Sequence, residues 1–130
     1  MVRWSKSWKA SIRPRKQRNY RTHAPLHIRQ KLVSVHLSKD LRTKHGKRSI
    51  AARKGDKVKI LRGQFKGKSG NITKVELKNS KIAVEGMENI RKDGTKTPYL
   101  FEPSNLMLTE LMLEDKKRKK SLEKKAAGKK

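Results

Sequence analysis

Residues 62–70, with the sequence RGQFKGKSG, combine the features that let a loop bind phosphate. Its glycines are Gly63, Gly67 and Gly70. Glycine permits positive φ and lets the backbone approach a ligand closely, because it has no Cβ. Lys66 and Lys68 place positive charge at the predicted tip, where they can form strong charge-assisted hydrogen bonds. The segment therefore predicts a loop that binds phosphate groups.

The N-terminal part of the chain is a cationic arm, because its first acidic residue is Asp40. The basic residues before that position are Arg3, Lys6, Lys9, Arg13, Arg15, Lys16, Arg18, Arg21, Arg29, Lys31 and Lys39. Residues 1–24 show no helical or alternating apolar pattern, so they bury too little surface to offset the entropy of ordering. We expect this segment to become ordered only on its partner.

Three aromatic residues are interleaved with these charges, namely Trp4, Trp8 and Tyr20. Aromatic side chains among cations suit stacking on bases or packing in RNA grooves. Trp and Tyr are also preferred at protein interfaces, so the same residues could anchor the arm to a protein neighbour. The sequence leaves both interpretations open.

Catalytic and metal-binding chemistry finds little support. The chain has no Cys, which excludes a thiol nucleophile, a disulfide framework and a thiolate metal site. Its histidines are His23, His27, His36 and His45. Pro25 breaks any helical face shared by the first two, and no third ligand is near. We expect no enzyme activity, metal, cofactor or small-molecule substrate, and we assign the histidines to phosphate or base contacts.

The charge balance points to a polyanionic partner. Lys and Arg number 37 against 11 Asp and Glu in 130 residues, a formal net charge of +26. Self-repulsion on this scale opposes a compact isolated state, whereas phosphates release counterions as they meet each cation. No window approaches the roughly 18 to 20 apolar residues of a membrane-spanning helix. The sequence therefore predicts a soluble, intracellular protein that binds nucleic acid, without membrane insertion.

Two short helices are predicted after residue 24. Pro25 suits a first helical position, and apolar residues then recur at helical spacing: Leu26, Ile28, Leu32 and Val33. The second helix follows Ser38, a candidate N-cap, and ends before Gly46. The helices could merely pack on the domain. Their basic residues could also bind phosphates, and the two interpretations are compatible; these residues are Arg29, Lys31, Arg42, Lys44, Lys47 and Arg48.

Short strands are predicted from Arg53 onward. The strand signals fall at residues 58–60, 72–77, 82–84, 87–91, 97–101 and 104–111. A change of parity between Ile72 and Val75 predicts a bulge, and turns are expected at residues 79–80 and 93–94. This pattern favours a mainly β fold, and we expect a small SH3-like barrel.

The last residues, EDKKRKKSLEKKAAGKK, are nearly all charged and have no evident apolar face. They predict a helix that forms with a partner and frays in solution. The predicted organisation is a basic extension over residues 1–24, short helices and a linker over 25–52, a barrel over 53–112 and a charged tail over 113–130.

The barrel segment resembles the KOW motif of ribosomal proteins and transcription elongation factors. The residues that carry the resemblance are Gly55, Asp56, Val58, Ile60, Gly63, Phe65, Lys66, Gly67, Lys68, Gly70, Ile72 and Val75. Asp56 is interpreted as part of the KOW turn rather than as a catalytic carboxylate. Phe65 could stack on a base or a sugar, or it could cap the mouth of the barrel.

Residues 13–125 resemble the archaeal and eukaryotic form of large-subunit ribosomal protein L twenty-four. The matching stretches include RPRKQRNYRTHAPLHIRQKL, RKGDKVKILRGQFKGKSG and FEPSNLMLTELMLEDKKRKK. The resemblance implies a structural protein of the cytoplasmic ribosome. It also implies binding to the first domain of large-subunit rRNA near the polypeptide exit tunnel, early assembly and ribosomal-protein neighbours. The hairpin EGMENIRKDGTK favours an archaeal source, whereas residues 1–12 have no counterpart in the resemblance.

The predicted rRNA-binding residues combine the charge layout with this resemblance. They are Arg13, Arg15, Lys16, Arg18, Asn19, Tyr20, Arg21, His23, His27, Arg29, Lys31, Arg48, Arg53, Lys54, Arg62, Gly63, Gln64, Phe65, Lys66, Gly67, Lys68 and Ser69. A KOW transcription factor is the second hypothesis, but the basic flanks leave no room for another globular domain. Non-specific DNA compaction is a third, and it leaves the glycine-marked loop unexplained.

Overall fold

The main structural element of the protein is a seven-stranded sheet. The computed structural model describes residues 4–126, with side chains to Glu123. Its strands are β1 (Ser34–Leu37), β2 (Ser49–Ala51), β3 (Lys57–Ile60), β4 (Ser69–Glu76), β5 (Lys81–Ile90), β6 (Lys96–Phe101) and β7 (Leu106–Glu110). Arg3 of the predicted arm and residues 127–130 of the predicted tail lie outside the described residues.

The strand order is β2-β1-β7-β3-β4-β5-β6. Strands β1 and β7 are parallel, and the other paired neighbours are antiparallel. Within the described chain, β2 and β6 end the sheet and do not pair with each other, so the sheet is open. The predicted mainly β class is confirmed.

The core lies on the inner face of this sheet. In β3, Val58 and Ile60 are fully buried and alternate with exposed lysines, as the period of two predicts. Val35 of β1 and Phe101 of β6 belong to the same buried cluster, although their strands lie in opposite halves of the strand order. The sheet therefore curves around its core.

Bulges and turns accommodate this curvature. The predicted bulge is confirmed by a register shift between Ile72 and Lys74. The signals at residues 82–84 and 87–91 form one strand, β5, which contains a second irregularity between Ala83 and Glu88. The turn at 93–94 is confirmed, and there the Asp93 carboxylate accepts a hydrogen bond from the Thr95 N–H at 3.0 Å.

Four α-helices surround the sheet, and two of them follow the prediction. They are α1 (Pro14–Thr22), α2 (Leu26–Leu32), α3 (Lys39–His45) and α4 (Lys116–Ala126), with short 3₁₀ helices at Lys6–Ala10 and Pro103–Asn105. Ser38 caps α3 by accepting the Leu41 N–H, and Gly46 ends it in the left-handed conformation, φ 60°. Pro25 is the N-cap of α2 rather than its first residue.

Three predictions about the flanks were wrong. Residues 14–22 form α1, although no helix was expected before residue 25; its proline stands in the first turn, and Tyr20 is its buried residue. Strands β1 and β2 lie in the segment predicted as helices and linker. The tail helix has a buried side, because Arg118 and Leu122 are 5% and 2% exposed.

Candidate nucleic-acid interface

The KOW loop, residues 62–69, has a backbone fixed by local hydrogen bonds. The Gly67 N–H donates to the Ile60 carbonyl at 2.9 Å, and the Ile60 N–H donates to the Lys68 carbonyl at 2.9 Å. Gly63 and Gly67 have φ values of 96° and 86°, so both occupy the conformation that glycine was predicted to permit. The loop is therefore preorganised before a ligand arrives.

Gly70 follows the loop and has a different role from the predicted one. It is not among the positive-φ glycines of the described chain. A Cβ at this position would lie 2.9 Å from the Glu85 carbonyl oxygen and 2.9 Å from Val84 Cγ1. Strand β5 therefore approaches Gly70 too closely for any side chain.

The polar side chains of the KOW loop point to solvent. Arg62, Gln64, Lys66, Lys68 and Ser69 are all exposed. The amide of Gln64 reaches the Asn89 side chain of β5 at 3.4 Å, which links the loop to the neighbouring hairpin. The ammonium group of Lys68 lies 5.4 Å from the Phe65 ring centroid, within range of a cation–π interaction. The loop thus presents cations on a supported surface.

Phe65 itself is half-buried against the core. Its ring centroid lies 5.3 Å from that of Tyr99 and 5.9 Å from that of Phe101, both in edge-to-face geometry. Such pairs stabilise a fold beyond the area that they bury. Of the two interpretations of Phe65, this packing favours the one in which the ring caps the apolar core.

Aromatic residues of the arm pack on one another. The ring centroids of Trp4 and Tyr20 are 5.4 Å apart, and Trp4 Nε1 donates to the Tyr20 carbonyl at 3.1 Å. Tyr20 is only 7% exposed, so stacking of its ring on a base would require Trp4 to move. Trp8 is half-buried. An intramolecular role for Trp4 and Tyr20 was not foreseen from the sequence.

Helix α1 carries the exposed charges of the arm. Its predicted cations and the cation before it are all exposed: Arg13, Arg15, Lys16, Arg18 and Arg21. Gln17 joins the helix to the preceding segment, because its amide donates to the Lys9 carbonyl at 2.8 Å. At the C-terminal end, His23 Nδ1 lies 3.2 Å from the Asn19 carbonyl oxygen. The helix therefore displays a basic surface of defined shape.

Arg29 fixes the corner between α1 and α2. Its Nε donates to the Ala24 carbonyl at 2.8 Å, and its Nη2 donates to the Thr22 carbonyl. The Thr22 carbonyl is the last of α1 and has no partner within that helix, so the guanidinium satisfies it. Arg29 therefore positions α1 relative to α2.

The remaining predicted residues are divided among surface clefts. His27, Lys31 and Arg48 line one cleft of about 750 Å³ beside α2 and β2. Arg21 and Arg29 line another of about 560 Å³, together with Lys78 and Lys81. Arg53 and Lys54 line a groove of about 450 Å³ against β4. The predicted residues thus form several basic patches rather than one pocket.

The charge of Arg53 is partly compensated within the chain. Its guanidinium forms an ion pair with the carboxylate of Asp115, just before α4. That hydrogen bond, followed by one from the Lys117 N–H, lowers the pKa of Asp115 below its ordinary value. Arg53 therefore contributes to the attachment of the tail as well as to the basic surface.

The sequence did not reveal how Asp56 and Arg118 are connected. Asp56 is fully buried, and its two oxygens accept hydrogen bonds from Arg118 Nη1 and Nη2 at 2.6 and 2.7 Å. The same carboxylate accepts the backbone N–H groups of Arg53 at 2.9 Å and Met112 at 3.0 Å. The spacing of Arg118 and Leu122, four residues apart, was the only signal that α4 has a buried side.

The chemistry available to these residues is the binding of anions. Exposed Lys and Arg side chains bind phosphate by charge and hydrogen bonding, and a fixed loop orients them. Across residues 4–126, no cluster of His, Asp and Glu could hold a metal ion. A helix long and apolar enough to cross a membrane is likewise absent from this part of the chain.

Comparison with known proteins decides the family. The family described as ribosomal proteins L26 in eukaryotes and L twenty-four P in archaea matches residues 11–125. The chain belongs to this family. It is also similar to "Large ribosomal subunit protein uL24" of Korarchaeum cryptofilum (strain OPF8), with 44% identity over 115 residues, 88% of each chain.

Family membership confirms the prediction that the chain is a ribosomal protein. The chain is a structural protein of the cytoplasmic ribosome and not an enzyme, and the predicted archaeal character agrees with the source of the similar protein. The hypotheses of a KOW transcription factor and of DNA compaction gain no support, because the match over residues 11–125 includes much of the arm and of the tail as well as the KOW segment.

Proposed function

We propose that this ribosomal protein binds large-subunit rRNA, within its first domain near the polypeptide exit tunnel, and supports early subunit assembly. The proposal rests above all on the KOW loop, whose backbone is fixed while Arg62, Lys66 and Lys68 remain exposed. A fixed basic loop pays little ordering entropy when it binds, so more of its interaction energy remains as affinity. Neighbouring ribosomal proteins are the other partners that we expect.

The arm has a complementary role in this proposal. Helix α1 lies beyond the Arg29 corner and carries exposed cations on a short element that can enter a groove between rRNA helices. Phosphates there would neutralise the repulsion among its side chains and release counterions. The KOW loop would fix orientation, while the arm would add area and charge.

Subunit assembly tests this function in cells. A chain without residues 1–24 should still fold, because the sheet and its core begin at β1, and its circular dichroism should retain the β signal. Large subunits should assemble more slowly when this chain replaces the intact one, as measured by sucrose-gradient sedimentation. A deletion that unfolded the sheet would instead refute the proposed domain boundary after residue 24.

Crosslinking identifies the RNA directly. In whole cells, ultraviolet crosslinking followed by sequencing of the attached RNA should recover large-subunit rRNA. The strongest sites should map to residues of the KOW loop and α1. Recovery of messenger RNA or nucleoid DNA in place of rRNA, or exclusion of the protein from large subunits at moderate salt, would contradict the proposal.

A further inference from the structure

Helix α4 has one anchored side and one cationic side. Arg118 and Leu122 are buried, whereas the four lysines around them are exposed: Lys116, Lys117, Lys119 and Lys120. Residues four apart share a helical face, so Arg118 and Leu122 point to the domain. The lysines are therefore displayed at fixed positions, unlike those of a solvated tail.

The anchor ties α4 to several elements at once. Besides its two bonds to Asp56, the Arg118 guanidinium donates to the Met112 carbonyl at 2.9 Å and to the Ala51 carbonyl at 3.4 Å. These acceptors lie after β7 and at the end of β2, and Asp56 lies immediately before β3. A buried bidentate pair of this kind specifies one orientation, because any other leaves charges without partners.

Helix α3 adds charge beside α4. The two helices pack together, and the Lys47 ammonium that follows α3 donates to the Ser121 carbonyl at 2.6 Å. Arg42 and Lys44 of α3 are exposed. Burial, followed by the charges of Lys44 and Lys47, lowers the pKa of His45, which agrees with a positive local potential. Arg42 is held towards β1, because its Nε donates to the Leu37 carbonyl at 2.8 Å. We call Lys44 and the four exposed lysines of α4 the two-helix face.

Acidic residues only partly offset this charge. Asp40 of α3 and Glu123 of α4 are exposed, and Asp115 is paired with Arg53. Two basic helices packed side by side repel each other, so the arrangement favours a polyanion that bridges them. A run of backbone phosphates supplies such charge at regular spacing and in greater density than an acidic protein surface.

We infer that the two-helix face is a second rRNA site, which binds backbone phosphates separately from the KOW loop. Strands β3 and β7 are antiparallel, with Lys57 opposite Glu110 and Ile60 opposite Leu106. The KOW loop follows the Ile60 end of β3, whereas α4 follows the Glu110 end of β7. The KOW loop and α4 therefore begin near opposite ends of the β3–β7 pair. The length of β3 is roughly 10 Å, at about 3.3 Å per residue.

Salt-dependent binding provides the first test, with deproteinised large-subunit rRNA as the probe. The variant K116Q/K117Q/K119Q/K120Q keeps residues that favour a helix and removes four charges from α4. The matched control K59Q/R91Q/K92Q/K96Q removes four exposed charges that belong neither to the two sites nor to the basic clefts described above. The log–log salt slope should fall by about 3 for the α4 variant, since each lost contact accounts for roughly 0.7 to 0.9. The control should lose less than about 1 on the same scale.

The outcomes separate this inference from the proposed function on which it rests. If the unaltered chain does not bind rRNA in a salt-dependent manner, the proposed function itself fails. If that chain binds and the α4 variant and its control lose equal slope, or neither loses any, only the second site is refuted.

A tethered probe locates the RNA within assembled subunits. The chain contains no Cys, so Lys120→Cys and Lys66→Cys each provide a single attachment point for an iron chelate that generates hydroxyl radicals. Both positions should cleave rRNA, at different nucleotides. If position 120 cleaves none, and the α4 variant binds rRNA normally but enters fewer subunits, an acidic protein neighbour occupies the face and the inference is wrong.

Discussion

The two ends of strand β3 are built by different physical means. At the Ile60 end, the KOW loop is fixed by backbone hydrogen bonds among residues within eight positions of one another, such as Gly67 to Ile60. At the Lys57 end, the buried carboxylate of Asp56 joins the chain to Arg118, which is 62 positions away. Local backbone geometry therefore defines one end, and a single long-range ion pair defines the other.

This difference predicts unequal sensitivity to substitution. Many small backbone contacts share the stability of the KOW loop, so the loss of any one is tolerated. The Asp56–Arg118 pair instead concentrates its stability in two buried charges, each of which is unfavourable without the other. The following predictions test this contrast, from the largest expected effect to the smallest.

The substitution Asp56→Ala should destabilise the protein most. It leaves the Arg118 guanidinium buried without its partner, and the backbone N–H groups of Arg53 and Met112 lose their acceptor. We expect a loss of about 3 to 5 kcal/mol in the free energy of unfolding, measured by urea denaturation. Asp93→Ala, at an exposed carboxylate, is the control. A loss at position 56 no larger than that of the control would contradict the proposed importance of the pair.

The substitution Gly70→Ala should have an intermediate effect. The new Cβ would meet a backbone carbonyl of β5, which cannot move without disturbing the sheet. We expect a loss of about 1 to 3 kcal/mol in the free energy of unfolding, in the range typical of overpacking.

The control for this prediction is Gly67→Ala, where a Cβ would meet nothing within 4 Å but φ is 86°. Its cost should be about 1 to 2 kcal/mol, from backbone strain alone. Both variants can be compared by thermal unfolding. If Gly70→Ala were as stable as the unaltered protein, β5 would have to shift away from the new Cβ at no cost, and the prediction would be wrong.

Replacing Lys66 and Lys68 by Ala should leave the fold intact and weaken RNA binding. Both side chains are exposed, so the free energy of unfolding should change by less than about 0.5 kcal/mol. The log–log salt slope of rRNA affinity should flatten by roughly 0.7 to 0.9 for each lost phosphate contact. An unchanged slope would remove these lysines from the interface.

The ionisation of His45 should report the smallest effect. Burial and the neighbouring Lys44 and Lys47 lower its pKa in the free protein, so the folded state binds this proton less well than the unfolded state does. Protonation of His45 therefore lowers the free energy of unfolding as pH falls through the ordinary histidine range. At higher pH the imidazole is neutral in both states, and this effect is absent.

Phosphates on the two-helix face should raise the pKa of His45 towards its ordinary value, because they offset the lysines. Nuclear magnetic resonance titration of the imidazole, with and without rRNA fragments, measures the change. The same titration of the K116Q/K117Q/K119Q/K120Q chain is the control, because phosphate should no longer bind beside His45 in that variant. A pKa of His45 that RNA does not alter would argue against phosphate at this face.

The secondary structure that could be predicted from the sequence is the part determined by residues close together in the chain. The alternation of Val58 and Ile60 identified β3, Ser38 and Gly46 marked the limits of α3, and the turn at 93–94 was read from two residues. In each case the residues that determine the structure are also the residues that form it. The KOW loop belongs to this class, since Gly63 and Gly67 have the positive φ expected of them. Gly70 does not, because its role depends on the close approach of the remote strand β5.

The rest depends on partners that are remote in sequence. Strand β1 reads as an ordinary Ser-Val-His-Leu segment, and its strand state arises from pairing with β2 and with β7, some 70 positions away. Arg118 lies in a run of similar cations, and only Asp56 distinguishes it from Lys117 or Lys119. Helix α1 is equally polar in composition, and its burial comes from Trp4 and Tyr20 meeting across sixteen residues.

The position of β7 between β1 and β3 has a consequence for biosynthesis. Strand β7, residues 106–110, pairs with β1 of the β1–β2 pair on one side and with β3 of the β3–β6 meander on the other. It is translated after both of these parts. During elongation the two parts therefore exist side by side with unpaired edges. Insertion of β7 joins them late, so the domain becomes one cooperative unit only after residues 106–110 have left the ribosome that is making it.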